Sequence, residues 1–262
     1  MKKITILIHC SDQPQIIAAI TTFIAVRSGN ILYVDQFVDQ DQKVFFMRLE
    51  AEFQGLSYDD LKFKDDFYQE LACVFKMKWE IYPEEYRPKM AIFVSKYDHC
   101  LYDILGRHKS GELDVDIPLI VSNHPKLKLI ADSFNIPFHF VHLDKLNPKL
   151  AESKHLELLS DCNIDFIVLA RYMQIIPKNI INKFHNKIIN IHHSFLPAFV
   201  GAKPYHSAFK RGVKIIGATS HYVTSELDAG PIIEQDVTRV SHTHSINDLA
   251  TKGRDLEKIV LS

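Results

Sequence analysis

The 262-residue sequence predicts an α/β protein of two domains, on three observations. The first 82 residues carry apolar patterns in the order strand, helix, strand, strand, helix, strand. Pro83 and Pro88 then bracket a charged stretch, which is typical of a linker between domains. Beyond it, strand and helix patterns alternate, the order that builds a doubly wound, mostly parallel sheet. We therefore predict domains at residues 1–82 and 89–262, joined by a linker at residues 83–88.

The elements of the N-terminal domain are predicted from the period of its apolar residues. Helical spacing marks two helices, and alternation of apolar with polar residues marks the strands. In this order they form a four-stranded antiparallel sheet with two helices on one face, the βαββαβ arrangement called ferredoxin-like. The predicted strands are Lys3–His9, Asn30–Val38, Val44–Phe53 and Lys78–Tyr82, and the predicted helices are Ile16–Val26 and Tyr58–Phe75.

The C-terminal domain shows short, continuous apolar runs, which are typical of strands buried on both faces. Asn190 and His192 lie at the end of the last of these runs, and parallel sheets bind their ligands beyond the carboxyl ends of strands. The predicted strands are Met90–Ser95, Ile117–Ser122, Phe138–Val141, Phe166–Ala170 and Lys187–Ile191, with helices beginning near Cys100, Lys126, Pro148 and Pro177.

The composition gives no case for a nucleic-acid or membrane partner. Lys and Arg number 31 against 32 Asp and Glu, whereas phosphate binding requires clustered basic residues. The apolar run from Ile4 to Ile8 is too short for an export signal or a membrane span. The four cysteines are widely spaced with no C-x-x-C pair, so we expect free thiols and a cytoplasmic location.

Residues 188–233 place an amide, an imidazole and a carboxylate at the ends of two apolar strands. Asn190 and His192 are two positions apart, so their side chains face the same side of a strand. An amide can donate to a developing oxyanion, and an imidazole can transfer a proton near neutral pH. Asp228 lies in an Asp-Ala-Gly-Pro turn, which can direct a carboxylate into a site. The trio is therefore predicted to attack a small acyl group.

The other histidines of the last third raise the hypothesis of a metal site. There is no H-E-x-x-H motif, and the pair His242 and His244 has no obvious third ligand. We therefore predict no metal and no other cofactor. His221 is interpreted as a group that supports the carboxylate of Asp228, and His193 is left open between a structural and a functional role.

Several separated motifs occur in one order that resembles the folate-dependent formyltransferase superfamily. They are N-x-H at 190–192, S-x-L-P at 194–197 followed by Gly201, then His221, then D-x-G-P at 228–231. The blocks A-R-Y-M-Q-I at 170–175 and H-H-S-F-L-P-A-F-V-G-A-K-P-Y at 192–205 are most similar to formyltetrahydrofolate deformylases. The C-terminal domain is thus expected to have the formyltransferase-type, Rossmann-like fold.

The resemblance implies an activity and a division of roles. It implies a hydrolase acting on a linear C–N amide bond, which converts 10-formyltetrahydrofolate and water to formate and tetrahydrofolate. That reaction would supply formate and balance the one-carbon folate pool for purine biosynthesis. Backbone groups near Met173 would read the pterin ring. The implied catalytic residues are Asn190, His192 and Asp228, and the implied substrate-binding residues are Arg171, Met173, Gln174, Ile175, Gly201 and His221.

The N-terminal domain is similar to an ACT domain, a module that in many proteins binds amino acids and regulates an attached enzyme. Gln15 stands where such domains commonly have a glycine, and Phe37 stands where the deformylase pattern usually has histidine. A side chain at position 15 would occupy ligand space. We therefore expect at most a weak amino-acid effector, methionine or glycine, and a homo-oligomer built through this domain.

Two alternative functions are weighed against hydrolysis. The first is formyl transfer to an amine acceptor, for which a transformylase acting on a ribonucleotide needs a glycine-rich loop after its first strand. No glycine occurs from Met90 to Leu105, which favours water as the acceptor. The second is a non-catalytic folate sensor, which the presence of Asn190, His192 and Asp228 argues against.

Overall fold

The computed structural model describes residues 2–54, 60–143, 147–198 and 204–262. The chain divides into two compact units, Met1–Tyr86 and Arg87–Ser262. Each unit has its own buried apolar core. In the part of the chain just given, none of the helices combines the length and the apolar character that crossing a membrane requires.

The N-terminal unit is an antiparallel sheet with the strand order β2-β3-β1-β4. Apolar residues at alternate positions of β1, Ile4, Ile6 and Ile8, face its core. The strands are β1 Lys2–Ser11, β2 Gly29–Asp39, β3 Val44–Phe53 and β4 Lys78–Pro83, and the helices are α1 Ile16–Val26, α2 Asp60–Phe67 and α3 Cys73–Phe75, with a π-helical turn at Tyr68–Ala72.

Two local features of this unit differ from the sequence-based expectation. The predicted continuous helix over residues 58–75 is interrupted by the π-helical turn, and its first two residues lie outside the described part of the chain. Strand β4 reaches Pro83, the first residue assigned to the linker, and the division between units falls after Tyr86. A strand-terminal proline is tolerated because no ladder hydrogen bond is needed from its nitrogen.

The C-terminal unit is built on a sheet with the order β11-β10-β9-β8-β5-β6-β7. Strands β5 to β9 are parallel, and β10 is antiparallel to both of its neighbours. The strands are β5 Lys89–Val94, β6 Asp116–Ser122, β7 Phe138–Phe140, β8 Phe166–Ala170, β9 Ile188–His192, β10 Ile215–Tyr222 and β11 Ile232–Arg239. The helices are α4 His99–Ser110, α5 Lys128–Ser133, α6 Pro148–Asp161, α7 Lys178–Lys183, α8 Pro204–Arg211 and α9 Ile246–Leu261.

The course of the chain creates a reversal in this sheet. From β5 it proceeds outward through β6 and β7, and it then returns to the other side of β5 to form β8 and β9. Open parallel sheets bind ligands at such a switch point, beyond the carboxyl ends of the strands. The same edge carries the end of β9. Strand β10, the second apolar strand expected within residues 188–233, extends the sheet beside it, together with β11, which was not predicted.

Candidate active site

Adjacent strands bring the polar residues of the site together. Asn190 and His192 lie on β9, and His221 lies on the neighbouring strand β10. In the antiparallel register His221 pairs with Asn190, and Thr219 pairs with His192. Paired positions place side chains on the same face of a sheet, so the two strands present the amide and both imidazoles to one point.

The turn after β10 completes the arrangement with a carboxylate. Oδ2 of Asp228 lies 3.3 Å from Nδ1 of His192, and Oδ1 lies 3.7 Å from Nε2 of His221. Asp228 has φ 53°, a left-handed conformation that aspartate adopts more readily than most residues. A Cβ atom on Gly230 would lie 1.7 Å from the carbonyl oxygen of Tyr222, so the turn can pass this close to β10 only with glycine there.

The tautomer of His221 follows from its partners. Nδ1 lies 3.0 Å from the carbonyl oxygen of Tyr222, which can only accept, so Nδ1 carries the proton. Nε2 then accepts a hydrogen bond from the amide nitrogen of Asn190 at 3.1 Å. This bond fixes the Asn190 amide with one of its two N–H groups used and the other available. The 3.7 Å contact between His221 and Asp228 is too long for a hydrogen bond.

The protonation state of Asp228 is set mainly by His192. The hydrogen bond from His192 holds the pKa of the Asp228 carboxyl well below its usual range, although partial burial acts in the opposite direction. Asp228 is therefore ionised at neutral pH and accepts the Nδ1 proton of His192. The other ring nitrogen of His192, Nε2, is buried and has no hydrogen-bond partner among the described residues.

A cavity of about 370 Å³ opens beside these groups. It is lined by the loop after β8, residues 171–176, by the loop after β10, residues 223–228, and by Asn190 and His192 of β9. Met173 and Ile175 are exposed in the loop after β8, so the loop offers apolar surface to a ligand. The backbone N–H of Met173 already donates to Oγ of Ser95 at 3.0 Å. Of the remaining predicted binding residues, Gly201 lies outside the described part of the chain.

Known proteins resemble this chain over nearly its whole length. Residues 88–262 match the family model described as formyl transferase. A formyltetrahydrofolate deformylase from Synechocystis sp. is 50% identical over 260 residues, which cover 98% of this chain and 90% of that protein. This chain belongs to the formyltetrahydrofolate deformylase family.

Solved structures give the same assignment for the fold. A deformylase structure from Pseudomonas syringae pv. tomato superposes with a TM-score of 0.95 at 43% identity, covering 100% of this chain and 87% of that one. A phosphoribosylglycinamide formyltransferase from Anaplasma phagocytophilum superposes with a TM-score of 0.60 at 34% identity, covering 65% of this chain and 81% of that one. The formyltransferase-type sheet predicted for the C-terminal domain is confirmed.

In this member of the deformylase family, Arg171, which the resemblance implied as a substrate-binding residue, lines the cavity while its side chain contacts helix α9. The residue follows β8 directly, has φ 62° and is 7% exposed. Its Nε lies 3.4 Å from Oε2 of Glu257, and its guanidinium lies over the ring of Tyr97 at 5.0 Å. Arg171 borders the cavity, but its side chain turns toward Glu257 on helix α9.

The sequence reading also missed the buried cluster around Glu257. Nε2 of His99 lies 2.7 Å from one carboxylate oxygen, and the hydroxyl of Tyr205 donates to the other at 2.6 Å. Burial alone would raise the pKa of Glu257, but the His99 bond, the charge of Arg171 and the Tyr205 bond outweigh it and lower the pKa. These partners are far apart in sequence, so no local pattern predicts their contact. The capping motif Ser245-Ile246-Asn247-Asp248 predicts only the start of the helix that carries Glu257.

The same cluster holds the one candidate metal trio found among the described residues. His99, Cys100 and Glu257 each place a possible ligand atom within 4.8 Å of the others. His99 is already bonded directly to the carboxylate, and the guanidinium of Arg171 supplies a positive charge beside it. These contacts identify the cluster as an ion-pair network.

Thr219 is a second residue that the sequence reading missed. Its hydroxyl donates to the carbonyl oxygen of Ser194 at 2.9 Å and accepts from the backbone N–H of Leu196 and from the side chain of Gln235. These bonds attach the loop after β9, which includes a cis Leu196–Pro197 peptide, to strands β10 and β11. The segment following His192 is thereby fixed against the sheet.

Proposed function

We propose that this protein hydrolyses 10-formyltetrahydrofolate to formate and tetrahydrofolate. The observation that carries the proposal is the contact of His192 with Asp228 beside Asn190, in the lining of a cavity in a chain of the deformylase family. Relatives that cover nearly the whole chain bear that name. The three groups supply what attack on a formyl group requires: a base, an oriented carboxylate and a donor for the oxyanion.

The folate is proposed to lie with its pterin ring against the loop after β8. Because the N–H of Met173 is bonded to Ser95, the ring is proposed to contact the carbonyl of Met173 and the backbone groups of Gln174, Ile175 and Ile176. The exposed side chain of Ile175 would cover one face of the ring. Binding would then bring the formyl group to the part of the cavity that Asn190 lines.

The attack of water is proposed to use His192 and Asp228 as a pair. The depressed pKa of Asp228 makes its carboxylate a weak base but a strong hydrogen-bond acceptor, so it orients the imidazole and the attacking water. With Nδ1–H donated to Asp228, Nε2 of His192 is the ring nitrogen that can accept the proton of the water. The imidazolium formed is stabilised by the adjacent carboxylate.

The tetrahedral intermediate places negative charge on the former formyl oxygen. We assign the free N–H of the Asn190 amide, together with protonated His192, to this oxyanion. His192 then returns its proton to the departing nitrogen of the folate, and the C–N bond breaks. The carbon enters as formyl and leaves as formate at the same oxidation level, so the proposed reaction requires no redox cofactor, and no step of it is assigned to a metal.

The test of the activity is an assay with water as the only acceptor. We expect the purified protein to release formate and tetrahydrofolate in equal amounts from 10-formyltetrahydrofolate, without any added amine. His192→Ala serves as the inactive reference protein. Formyl loss that depends wholly on glycinamide ribonucleotide would replace hydrolysis with transfer as the function.

We further propose that residues 1–82 form an ACT-like module that pairs with a second copy of the chain. Strand β2 is an edge strand of the sheet, and Tyr33, Val34 and Phe37 on it are exposed. Edge strands with exposed apolar residues are suited to pairing with another chain. Light scattering of the intact chain and of a protein beginning at Arg87 tests this. A monomeric intact chain at high concentration would contradict it.

The module is proposed to respond weakly, if at all, to methionine or glycine. A groove of about 600 Å³ runs beside the start of α1, and Gln15 lies on its wall with φ 75°. Its side chain takes space and contacts that a small ligand would use. Gln15→Gly relieves the left-handed backbone and opens the groove. Calorimetric titration should therefore show stronger amino-acid binding to Gln15→Gly than to the wild type, and tight methionine binding by the wild type would contradict this.

In the cell, we propose that the activity acts in the cytoplasm, supplies formate and balances the folate pool for purine biosynthesis. A strain that lacks the protein would then hold an excess of 10-formyltetrahydrofolate and require added formate or purines when other formate sources are limiting. Restoration by the wild type but not by His192→Ala would link the phenotype to hydrolysis.

A further inference from the structure

The crevice at the reversal of the C-terminal sheet should, by topology, receive a ligand. It lies beyond the carboxyl ends of β5 and β8, which are adjacent and parallel, with Val94 opposite Ala170. The first residues past these ends, Ser95 and Arg171, therefore face each other across it. Ligands of doubly wound sheets bind in this position.

In this protein, side chains fill that crevice. Arg171 is 7% exposed and Glu257 is 1% exposed, and Nε of Arg171 lies 3.4 Å from Oε2 of Glu257. The guanidinium packs over the ring of Tyr97 from the loop after β5. The cluster thus joins the loops after both switch-point strands to helix α9.

The filled crevice borders the catalytic groups. Arg171 lines the same cavity as Asn190 and Asp228. On the other side, Tyr205, which is bonded to Glu257, contacts the ring of His193 at 6.0 Å between centroids, and His193 contacts His192 at 5.3 Å. A molecule placed in an open crevice would therefore reach the part of the cavity where the formyl group is proposed to lie.

The conformation of Arg171 argues that its side chain has a role. A non-glycine residue at φ 62° adopts the left-handed region at a cost of about 1 kcal/mol. Burial of a guanidinium costs more unless a carboxylate and a ring compensate for it. Glycine would satisfy the same backbone without either cost. The arginine side chain instead fills space that borders the cavity.

We propose that the Arg171 side chain, held by Glu257 and Tyr97, closes the acceptor side of the active site to amines and leaves room for water alone. The inference rests on the proposed hydrolysis and names the residue that decides the acceptor. The fold itself does not exclude amines, since a phosphoribosylglycinamide formyltransferase shares it. Arg171 is here a specificity-determining residue that does not touch the reacting atoms.

The chemistry of the two outcomes differs only in the nucleophile. In hydrolysis a water oxygen bonds to the formyl carbon, the bond to the folate nitrogen breaks, and the water proton is returned to that nitrogen. In transfer an amine nitrogen forms the new bond, loses a proton, and leaves as a formamide while the folate nitrogen gains the proton. The ratio of formamide to formate therefore reports which nucleophile reaches the carbon.

The experiment opens the crevice with Arg171→Gly combined with Glu257→Gln. Glycine keeps the backbone at φ 62° without strain, and glutamine avoids a buried carboxylate that has lost the compensating charge of Arg171. Arg171→Lys is the matched control, because it retains the charge and most of the volume. Each protein is incubated with 10-formyltetrahydrofolate and glycinamide or glycinamide ribonucleotide, and formate and formylated amine are both measured.

We expect formate alone from the wild type and from Arg171→Lys. The double variant is expected to give a formylated amine. Its fraction of the total product should be at least tenfold above the detection limit that applies to the wild type, and it should increase with acceptor concentration. Formylated amine from the wild type would overturn the proposal, as would a folded, hydrolytically active double variant that gives formate alone. Should the double variant lose its fold, Arg171→Gly alone is judged by the same ratio. The wild-type assay without amine tests the hydrolase assignment separately.

Discussion

Nδ1 of His192 lies 3.3 Å from Oδ2 of Asp228, and this contact determines which ring nitrogen is free for chemistry. An ionised carboxylate accepts the Nδ1 proton, so Nε2 carries the lone pair in neutral His192. The sequence separation of 36 residues is bridged because β10 runs back beside β9 and the following turn places Asp228 next to the strand end. His192 is thus arranged as a base with Asp228 as its orienting group. Substitution of either residue should therefore lower turnover.

We predict that Asp228→Asn lowers turnover by on the order of 1,000-fold with little change in folate affinity. The amide cannot fix the Nδ1–H tautomer of His192 or stabilise the imidazolium. Formate release under saturating substrate gives turnover, and a folate titration gives affinity. Asp161→Asn, an exposed carboxylate at the end of α6, is the control and should match the wild type. A loss confined to folate affinity would remove Asp228 from the chemical step.

We predict that substitutions at Asn190 and His221 have non-additive effects on turnover. Asn190→Ala should lower turnover about 100- to 1,000-fold because an oxyanion donor is lost. His221→Ala should lower it about tenfold, since it acts by orienting the Asn190 amide through the 3.1 Å hydrogen bond. The double variant should then be no worse than Asn190→Ala alone. Additive losses would show that His221 acts independently, for example on Asp228.

The sequence predicted those parts of the fold that depend on local periodicity. Strand β3 and helix α1 have the predicted bounds, because alternation and helical spacing of apolar residues persist along each. The π-helical turn at Tyr68–Ala72 was not predictable, since one extra residue in a turn leaves the apolar pattern nearly unchanged. Strand β11 was missed because it is largely exposed and carries little apolar signal.

The site residues, too, were predictable only where local sequence spacing brings them together. Asn190 and His192 are predictable as neighbours because they lie on one strand with a period of two. The contact between Arg171 and Glu257 joins residues 86 positions apart and requires the whole topology of the sheet and helix α9. Nothing local in the sequence indicates that the Arg171 side chain contacts Glu257, and only the fold shows it.

Substitution of Gly230 tests the turn that carries Asp228. Gly230→Ala would place Cβ 1.7 Å from the carbonyl oxygen of Tyr222, which is backbone and cannot move aside. We expect a loss of about 1–3 kcal/mol in the free energy of unfolding, and a fall in formate release because the turn shifts.

Gly106→Ala is its matched control. A Cβ at this position in α4 meets no atom within 4 Å, so the free energy of unfolding should rise by up to about 1 kcal/mol through helix propensity. Urea unfolding and formate release measured on both variants make the comparison. Equal behaviour of the two would show that the Tyr222 contact does not constrain the turn.

The last prediction concerns His155, a buried histidine on α6 that packs against Phe93. It is 2% exposed, and neither ring nitrogen has a hydrogen-bond partner among the described residues. Burial lowers the pKa of His155 to about 4, although the charge of Glu152 acts in the opposite direction. Because the pKa of His155 is lower in the folded than in the unfolded state, protons bind the unfolded chain preferentially between about pH 6.5 and pH 4. The free energy of unfolding therefore decreases as the pH is lowered across that window. The loss from this group should reach about 2 kcal/mol between pH 7 and pH 5.

His155→Leu removes the group and with it this component of the pH dependence. Urea unfolding at pH 7 and pH 5 should therefore show a smaller loss of the free energy of unfolding in His155→Leu than in the wild type, by about 2 kcal/mol. His185→Leu, at an exposed histidine, is the control and should retain the wild-type difference between the two pH values. A parallel loss in all three proteins would mean that His155 becomes protonated in the folded state, through an opening of its pocket or a partner that it gains at low pH.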